Sequence, residues 1–366
     1  MQKPEAHQRK KYRNMFLTLG SVLTVLAGFL YYYKPPLKFS IIRKAILNEL
    51  EYNVLAVKEI VADFLNAKYN KIELCERPDK VVIVTGGSRG IGATIVKLLL
   101  KCDMEVIIAC RNPAAGDMTI RQIREAGITK GRACVYELDN ASFKSIRRFS
   151  EKIKENYTKI DILVNNAGIM FTPYSEMEDG FEQQWGVNYL SHFLLTSLLL
   201  PLLKAAGTKD EHARIVNISS CAHILGSINF EDVNCKNEFI AQAAYSQSKL
   251  AQVMFTKTLQ ELLKQENMYI DAYAVHPGIV NTDIFQHSYV NKLQWLKRLL
   301  FKSPEQGATS VVFAIVDISI QDKGGLYFSN CREVAVNRKV FDPELRERLF
   351  QLSLKQTQLK DFIQKS

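Results

Sequence analysis

A doubly wound parallel α/β sheet behind a membrane anchor is the fold this sequence predicts, and three observations carry that expectation. From about Arg77 onward, short apolar runs alternate with longer amphipathic stretches. The first of those runs ends in a glycine-rich turn that opens a helix. Ahead of them stands an uncharged apolar run, residues 15–33.

Strands that alternate with helices imply a parallel sheet covered on both faces. The apolar runs at 80–85, 105–110, 133–138, 161–165, 214–219 and 269–275 read as strands. Residues 91–101, 143–154, 181–203 and 241–263 read as helices between them. A first strand that feeds a glycine turn makes the sheet Rossmann-type. At 366 residues the chain is long enough to bury a sizeable core, and 47% hydrophobic content is ordinary for a globular protein.

As a helix the run 15–33 reaches roughly 28 Å at about 1.5 Å per residue, close to a hydrocarbon core of roughly 30 Å. Tyr31, Tyr32 and Tyr33 suit an interfacial aromatic belt, with Lys34 behind them. Arg9, Lys10, Lys11 and Arg13 would suit a signal peptide, but no small-residue cleavage site follows, so the run reads as a retained anchor. Next comes an amphipathic helix over 37–71, with Ile42, Ile46, Leu50, Val54, Val57, Val61 and Phe64 or Leu65 at spacings of three and four. That stripe suits either a membrane surface or the main domain. The expected organisation is a basic tail 1–14, an anchor 15–33, a helical linker 34–76, a catalytic domain 77–358 and a tail 359–366.

The net charge is +10, and residues 1–80 hold 14 Lys+Arg against 8 Asp+Glu, so most of the excess lies in the extension. Contact with anionic lipid headgroups fits that placement. The main body has no basic stripe with interleaved aromatics, which argues against nucleic acid. Seven cysteines, at 75, 102, 110, 134, 221, 235 and 331, form no CxxC pair. They suit free thiols in a reducing compartment, and no paired spacing suggests a metal site.

The glycine turn reads Thr85-Gly86-Gly87-Ser88-Arg89-Gly90-Ile91-Gly92. Glycine lets the backbone turn tightly and approach a pyrophosphate at a helix N-terminus. A triphosphate loop would need lysine where Ala93 stands, so that reading fails. The second strand ends Ala109-Cys110-Arg111-Asn112. An acid here would accept from the ribose 2′-hydroxyl of NAD, whereas Arg111, aided by Arg89, suits the 2′-phosphate of NADP. NADP(H) is therefore the expected cofactor, with NAD(H) second.

Three later segments act together: Asn165-Asn166-Ala167-Gly168, the strand ending Ser219-Ser220, and Tyr245-Ser246-Gln247-Ser248-Lys249. Tyr245 and Lys249 share a helix face. A free tyrosine has a pKa of about 10, and a nearby ammonium favours its phenolate, making a workable general acid/base. Ser220 can hydrogen-bond the substrate oxygen. A lone YxxxK occurs often by chance; the ordered set does not.

These motifs resemble short-chain dehydrogenases/reductases of the TGxxxGxG, NNAG, YxxxK type over residues 79–358. Within them the chain is similar to the retinol-dehydrogenase-like branch, nearest the X-linked dehydrogenase/reductase type. Ala109-Cys110-Arg111-Asn112, Gly186-Val187-Asn188-Tyr189-Leu190, Ala244-Tyr245-Ser246-Gln247-Ser248-Lys249 and His276-Pro277-Gly278-Ile279-Val280-Asn281-Thr282-Asp283 carry that placement. The resemblance implies a catalytic tetrad of Asn188, Ser220, Tyr245 and Lys249, with Ser220 and Tyr245 meeting substrate. It implies cofactor contacts from Gly86, Ser88, Arg89, Gly90, Ile91, Gly92, Arg111, Asp139, Asn166, Ala167, Gly168, Tyr245, Lys249, Pro277, Gly278, Ile279 and Thr282. The extension of about 75 residues is longer than the short anchor usual in this branch.

After Thr282, the apolar Val290, Leu293, Leu296, Leu299, Leu300 and Phe301, with Trp295, mix with Lys292, Lys297, Arg298 and Lys302. Such a segment suits a membrane interface or an ordinary lid helix packed inward. The resemblance implies retinoid, prenol-like or other lipid alcohols and aldehydes, and allows a homodimer. Other readings are a steroid or acyl-chain ketone reductase and a catalytically weak cofactor-binding scaffold. The expected location is the endoplasmic reticulum membrane with the domain in the cytosol, ahead of lipid droplet or mitochondrial membrane.

Overall fold

The computed structural model describes residues 39–363. The expected basic tail and anchor lie outside the described residues. The first described helix, α1, is Phe39–Asn66. The chain forms two compact units that divide within it: residues up to Leu47 belong to one, and residues from Asn48 to the other.

The second unit is built on β1 (Val81–Thr85), β2 (Glu105–Cys110), β3 (Arg132–Glu137), β4 (Ile162–Asn165), β5 (Ala213–Ile218), β6 (Ile270–His276), β7 (Tyr327–Ser329) and β8 (Arg332–Glu333). Their order across the sheet is β3-β2-β1-β4-β5-β6-β7-β8. Pairing is parallel from β3 to β7, and β8 alone runs antiparallel. The doubly wound sheet expected from the sequence is thus present. The strand order reverses between β1 and β4, which opens a crevice at their C-terminal ends. β1, β4, β5 and β6 are buried almost throughout, as central parallel strands require. β7 and β8 are too short to carry a period, and the sequence pattern does not predict them.

α2 (Gly90–Lys101), α3 (Pro113–Glu125) and α8 (Pro304–Val316) help cover one face of the sheet, around Ile95, Leu99, Ile123, Val311 and Ile315. α4 (Phe143–Asn156), α5 (Gln183–Ala206), α6 (Ala241–Gln265) and α9 (Pro343–Thr357) cover the other. A short helix, α7 (Gln294–Leu300), follows β6. Three helices outside the sequence expectation, α3, α8 and α9, share one start signal. Each begins with proline, after Asn112, Ser303 and Asp342 respectively. Proline fits the first helical position because its missing N–H would have no helical partner there. Ser303 adds a reciprocal cap with Gln306, and Asp342 accepts from the Leu345 N–H.

Among the described residues, α5 is the one helix long and apolar enough to cross a membrane, but 94% of its most apolar window is buried in the protein. Its apolarity is that of a core helix covered on all sides. A five-residue π turn, Gly186–Leu190, interrupts it.

α1 does not use its apolar stripe to pack on the main domain. Leu50, Val54, Val61, Phe64 and Leu65 are exposed, whereas Leu55 and Asp63 are buried. From Asn48 onward the helix therefore docks by a mixed polar face and leaves its apolar stripe outside. In α7, Trp295 and Leu299 are exposed, Leu296 and Leu300 are half-buried and Lys297 is buried.

Phe193 is fully buried and meets Phe255, Phe350 and Phe362 at ring-centroid distances of 4.9–5.4 Å. Phe193→Ala should cost about 3–5 kcal/mol, seen as a lower denaturant midpoint. Trp295→Ala, at an exposed site, should leave the midpoint within about 0.5 kcal/mol of the parent.

Candidate active site

The glycine turn caps β1 and sits in the crevice between β1 and β4. Gly86 and Gly90 take φ of +66° and +55°, where a side chain would be strained. At Gly92 the demand is one of space. A Cβ there would stand 2.2 Å from the Gly86 carbonyl oxygen and 2.7 Å from Asn166 Nδ2. Arg89, at the cap of α2, makes no side-chain hydrogen bond to the helix. The first α2 amides are therefore left for an incoming acceptor, and a pyrophosphate fits that cradle. Ser88 and Ile91 are half-buried beside it.

Thr85 ties the turn to the second motif. Its Oγ1 accepts from the Asn166 and Ala167 N–H groups, each at 2.9 Å, and Asn166 Nδ2 donates to the Thr85 carbonyl at 2.8 Å. A Cβ on Gly168 would lie 3.7 Å from Lys249 Nζ, so the Asn166–Gly168 segment reaches the catalytic candidates. Asp139 follows β3 and accepts from the Ala141 N–H at 2.9 Å.

Asn188, Ser220, Tyr245 and Lys249 are all buried. Asn188 lies in the π turn of α5. Its Oδ1 accepts from the Ile169 N–H at 2.9 Å, and its Nδ2 donates to the Ile169 carbonyl and Ser248 Oγ, both at 3.0 Å. π turns concentrate at functional sites. This one holds the strand β4 loop in register with α6.

Lys249 Nζ donates to the Ile218 carbonyl and to Gln252 Oε1, both at 2.8 Å. Burial pulls its pKa down to about 7. The ammonium stands 5.7 Å from the Tyr245 ring centre. Burial pushes the Tyr245 phenol above its ordinary value, and the neighbouring Ser220 hydroxyl pulls the other way.

The two serines divide their work. Ser219 Oγ donates to the Lys249 carbonyl at 2.9 Å, fastening α6 to β5. Ser220 Oγ accepts from the Ala222 N–H at 3.2 Å, lies 3.9 Å from Cys221 Sγ, and sits beside Tyr245. Of the two, Ser220 is the one beside Tyr245.

Pro277 and Gly278 follow β6, and Gly278 has φ +92°. Thr282 approaches the glycine turn closely enough that a Cβ on Gly90 would meet its Cγ2 at 3.5 Å. The loop after β6 thus reaches the pyrophosphate cradle. Arg89, at the cap of α2, and Arg111, just past β2, are both exposed, and among the described residues neither has an ion-pair partner.

Sequence reasoning missed several groups. Met170, Ala222 and Tyr245 pack with Phe171, Ile284, Phe285 and Tyr52 of α1 in one apolar cluster. Phe171 meets Tyr245 edge-on at 5.5 Å and Tyr52 at 5.0 Å. These partners are remote in sequence and share no spacing. Gln252, one turn beyond Lys249, was legible by helical position alone. Glu59, Cys221 and His276 bring one potential ligand atom each within 4.8 Å of one another. Asp63 and Lys302, themselves an ion pair, both act on Glu59 and His276. All seven cysteines are free thiols, Cys75 exposed.

The short chain dehydrogenase family pattern matches residues 80–292. The chain is 38% identical over 293 residues to a polyprenol dehydrogenase of Homo sapiens, covering 78% of this chain and 87% of that one. It is 39% identical over 277 residues to retinol dehydrogenase 12 of Mus musculus, covering 75% and 85%. Among solved structures, the Pseudomonas aeruginosa RhlG/NADP active-site complex aligns with a TM-score of 0.57 at 25% identity, over 70% of this chain and 97% of that chain. With its fold, its glycine cradle and these likenesses in agreement, the chain belongs to the short-chain dehydrogenase family, oxidoreductases that act on CH–OH groups.

Proposed function

We propose that this protein interconverts a lipophilic alcohol and its carbonyl using NADP(H), at a membrane. The observation that carries the reading is the buried group Asn188, Ser220, Tyr245 and Lys249, gathered at the crevice beside the glycine cradle. NADPH, when bound, supplies a hydride. In reduction, Ser220 hydrogen-bonds the carbonyl oxygen and Tyr245 gives that oxygen its phenolic proton. Hydride and proton together make the alcohol. Lys249 offsets the charge left on the Tyr245 oxygen, and Asn188 holds the loop that aligns the site.

A lipid substrate is supported by the apolar surroundings of Tyr245 and by the polyprenol and retinol dehydrogenases among the relatives. A membrane is supported by the apolar run ahead of α1 and by two outward apolar faces, on α1 and α7. A catalytic domain on the cytosolic side of the endoplasmic reticulum suits seven free thiols. NADP is supported by the two free arginines, Arg89 at the cap of α2 and Arg111 just past β2.

A substrate screen tests the reaction: full-length protein in detergent, NADPH consumption, and a retinal, a long-chain prenal, a steroid ketone and an acyl-chain ketone. The isoprenoid aldehydes should turn over fastest. Preference for the steroid would favour a ketone reductase, and no turnover would favour a cofactor-binding scaffold. Tyr245→Phe keeps the ring but lacks the proton, so turnover should fall by a factor on the order of 10² or more. The raised Tyr245 pKa also sets a sign. Alcohol oxidation needs the phenolate, whose fraction grows with pH, whereas reduction draws on the phenol and the Lys249 ammonium, which is lost as pH rises through about 7, so the ratio of oxidation rate to reduction rate should rise from about pH 7 to about 9.

Arg111→Asp would exchange attraction for repulsion at a 2′-phosphate and offer an acceptor to a 2′-hydroxyl. The kcat/KM ratio should shift from NADP(H) toward NAD(H) by roughly 10- to 1000-fold, at about 1.4 kcal/mol per decade. A parent that already prefers NAD, or an unmoved ratio, would make Arg111 a solvated strand-end cation.

A further inference from the structure

The buried charge of α1 is unexplained by the reaction. Asp63 lies outside the family match at 80–292, yet it is only 7% exposed. Its Oδ2 accepts from the Ile279 N–H at 3.1 Å, in the loop after β6. Its Oδ1 accepts from Asn330 Nδ2 at 2.9 Å and pairs with Lys302 Nζ at 2.9 Å.

Lys302 continues the same arrangement. Its Nζ donates to Asn330 Oδ1 at 2.7 Å and, at longer range, to the Pro277 carbonyl at 3.4 Å. Its backbone N–H donates to the Ile279 carbonyl at 2.8 Å, and its carbonyl accepts from the Asn281 N–H at 2.9 Å. The loop is held on both sides. Gly278 shows how tightly: a Cβ there would stand 2.6 Å from Lys302 Cδ and 2.7 Å from Asp63 Oδ2.

α1 is itself firmly seated from Asn48 on. Gln242 Nε2 donates to Glu49 Oε2 at 2.6 Å, near the start of α6. Tyr52 packs on Phe171. Beyond the helix, Asn70 Nδ2 donates to the Gln306 carbonyl at 2.7 Å, and its Oδ1 accepts from Ser310 Oγ at 3.0 Å. The carboxylate of Asp63 is therefore delivered to the loop from a fixed support.

A buried ion pair is a poor source of net stability, because desolvating both charges offsets their attraction. Its retention here is better explained by geometry. We propose that Asp63 is a positioning residue for the nicotinamide side of the cofactor site: it accepts the Ile279 N–H and, with Lys302, fixes the Pro277–Gly278–Ile279 backbone against which the cofactor packs. The role of that loop rests on the function proposed above. On this account the extension ahead of the family-like segment is part of the active site.

Asp63→Ala alone strands Lys302 as a buried charge and could simply unfold the protein. Two double variants avoid that. Asp63→Asn with Lys302→Met removes both charges but keeps an oxygen for the Ile279 N–H. Asp63→Leu with Lys302→Met removes both charges and that acceptor. Hydrogen exchange of residues 277–282 in the cofactor-free protein, and the Kd for NADPH by its fluorescence, are read on each.

The Leu/Met variant should lose protection across 277–282 and bind NADPH at least about tenfold more weakly, with the melting transition kept. The Asn/Met variant should restore most of both. Unchanged protection in the Leu/Met variant overturns the proposal, as does lost protection with unchanged NADPH affinity. Equal loss in the two variants also overturns it, because the Ile279 acceptor would then be irrelevant. If the parent binds no nicotinamide dinucleotide, the proposed function fails, and the cofactor role of Asp63 fails with it. Exchange protection then still reports whether Asp63 holds the loop.

Discussion

Holding the Lys249 ammonium in a buried pocket is the constraint on which the rest of the site depends. Burial pulls its pKa down to about 7, so the cationic form survives only with close oxygen partners. The Ile218 carbonyl and Gln252 Oε1 are those partners. One comes from the end of β5 and the other from the next turn of α6. The charge is therefore secured only while α6 is locked to the sheet, and the Ser219 bond to the Lys249 carbonyl supplies that lock.

The neighbouring elements follow from the same demand. Tyr245, one turn before Lys249, shares its low-dielectric pocket, and burial keeps its phenol protonated at neutral pH. Asn188 bonds both Ile169 and Ser248, so the β4 loop and α6 cannot move independently. That arrangement needs the extra residue of a π turn, which re-aims the Asn188 side chain from what a regular helix would allow. Thr85 extends the chain of bonds to the glycine turn. The glycine turn and Tyr245 are thus tied into one assembly, and on the proposed function such preorganisation spares reorganisation during reaction.

Legibility in the sequence followed physical range. Central strands could be read because both their faces are buried, leaving apolar runs such as 81–84 and 106–110. The glycine turn and the Tyr245–Lys249 pair could be read because their chemistry depends on fixed local spacing. α1 could be read as amphipathic, yet the stripe of Leu50, Val54, Val61 and Leu65 is not the face that docks. What seats it is Asp63 against Ile279, Asn330 and Lys302, groups more than 200 residues away whose pairing no local period records. Phe171 and Tyr52 around Tyr245 are hidden for the same reason. The three helices α3, α8 and α9 were visible in principle, through a proline that follows Asn, Ser or Asp.

The central claim is that a hydride passes from the dihydronicotinamide to a lipophilic carbonyl carbon while Tyr245 supplies the proton. Its most direct test uses full-length protein in detergent, NADPH carrying deuterium at the transferable C4 position, and a long-chain isoprenoid aldehyde. Mass spectrometry of the alcohol formed in a single turnover should find one deuterium on the carbinol carbon, and none should appear with unlabelled NADPH in deuterated water. Alcohol free of label despite oxidised cofactor, or label that arrives on carbon from the water, would contradict the account.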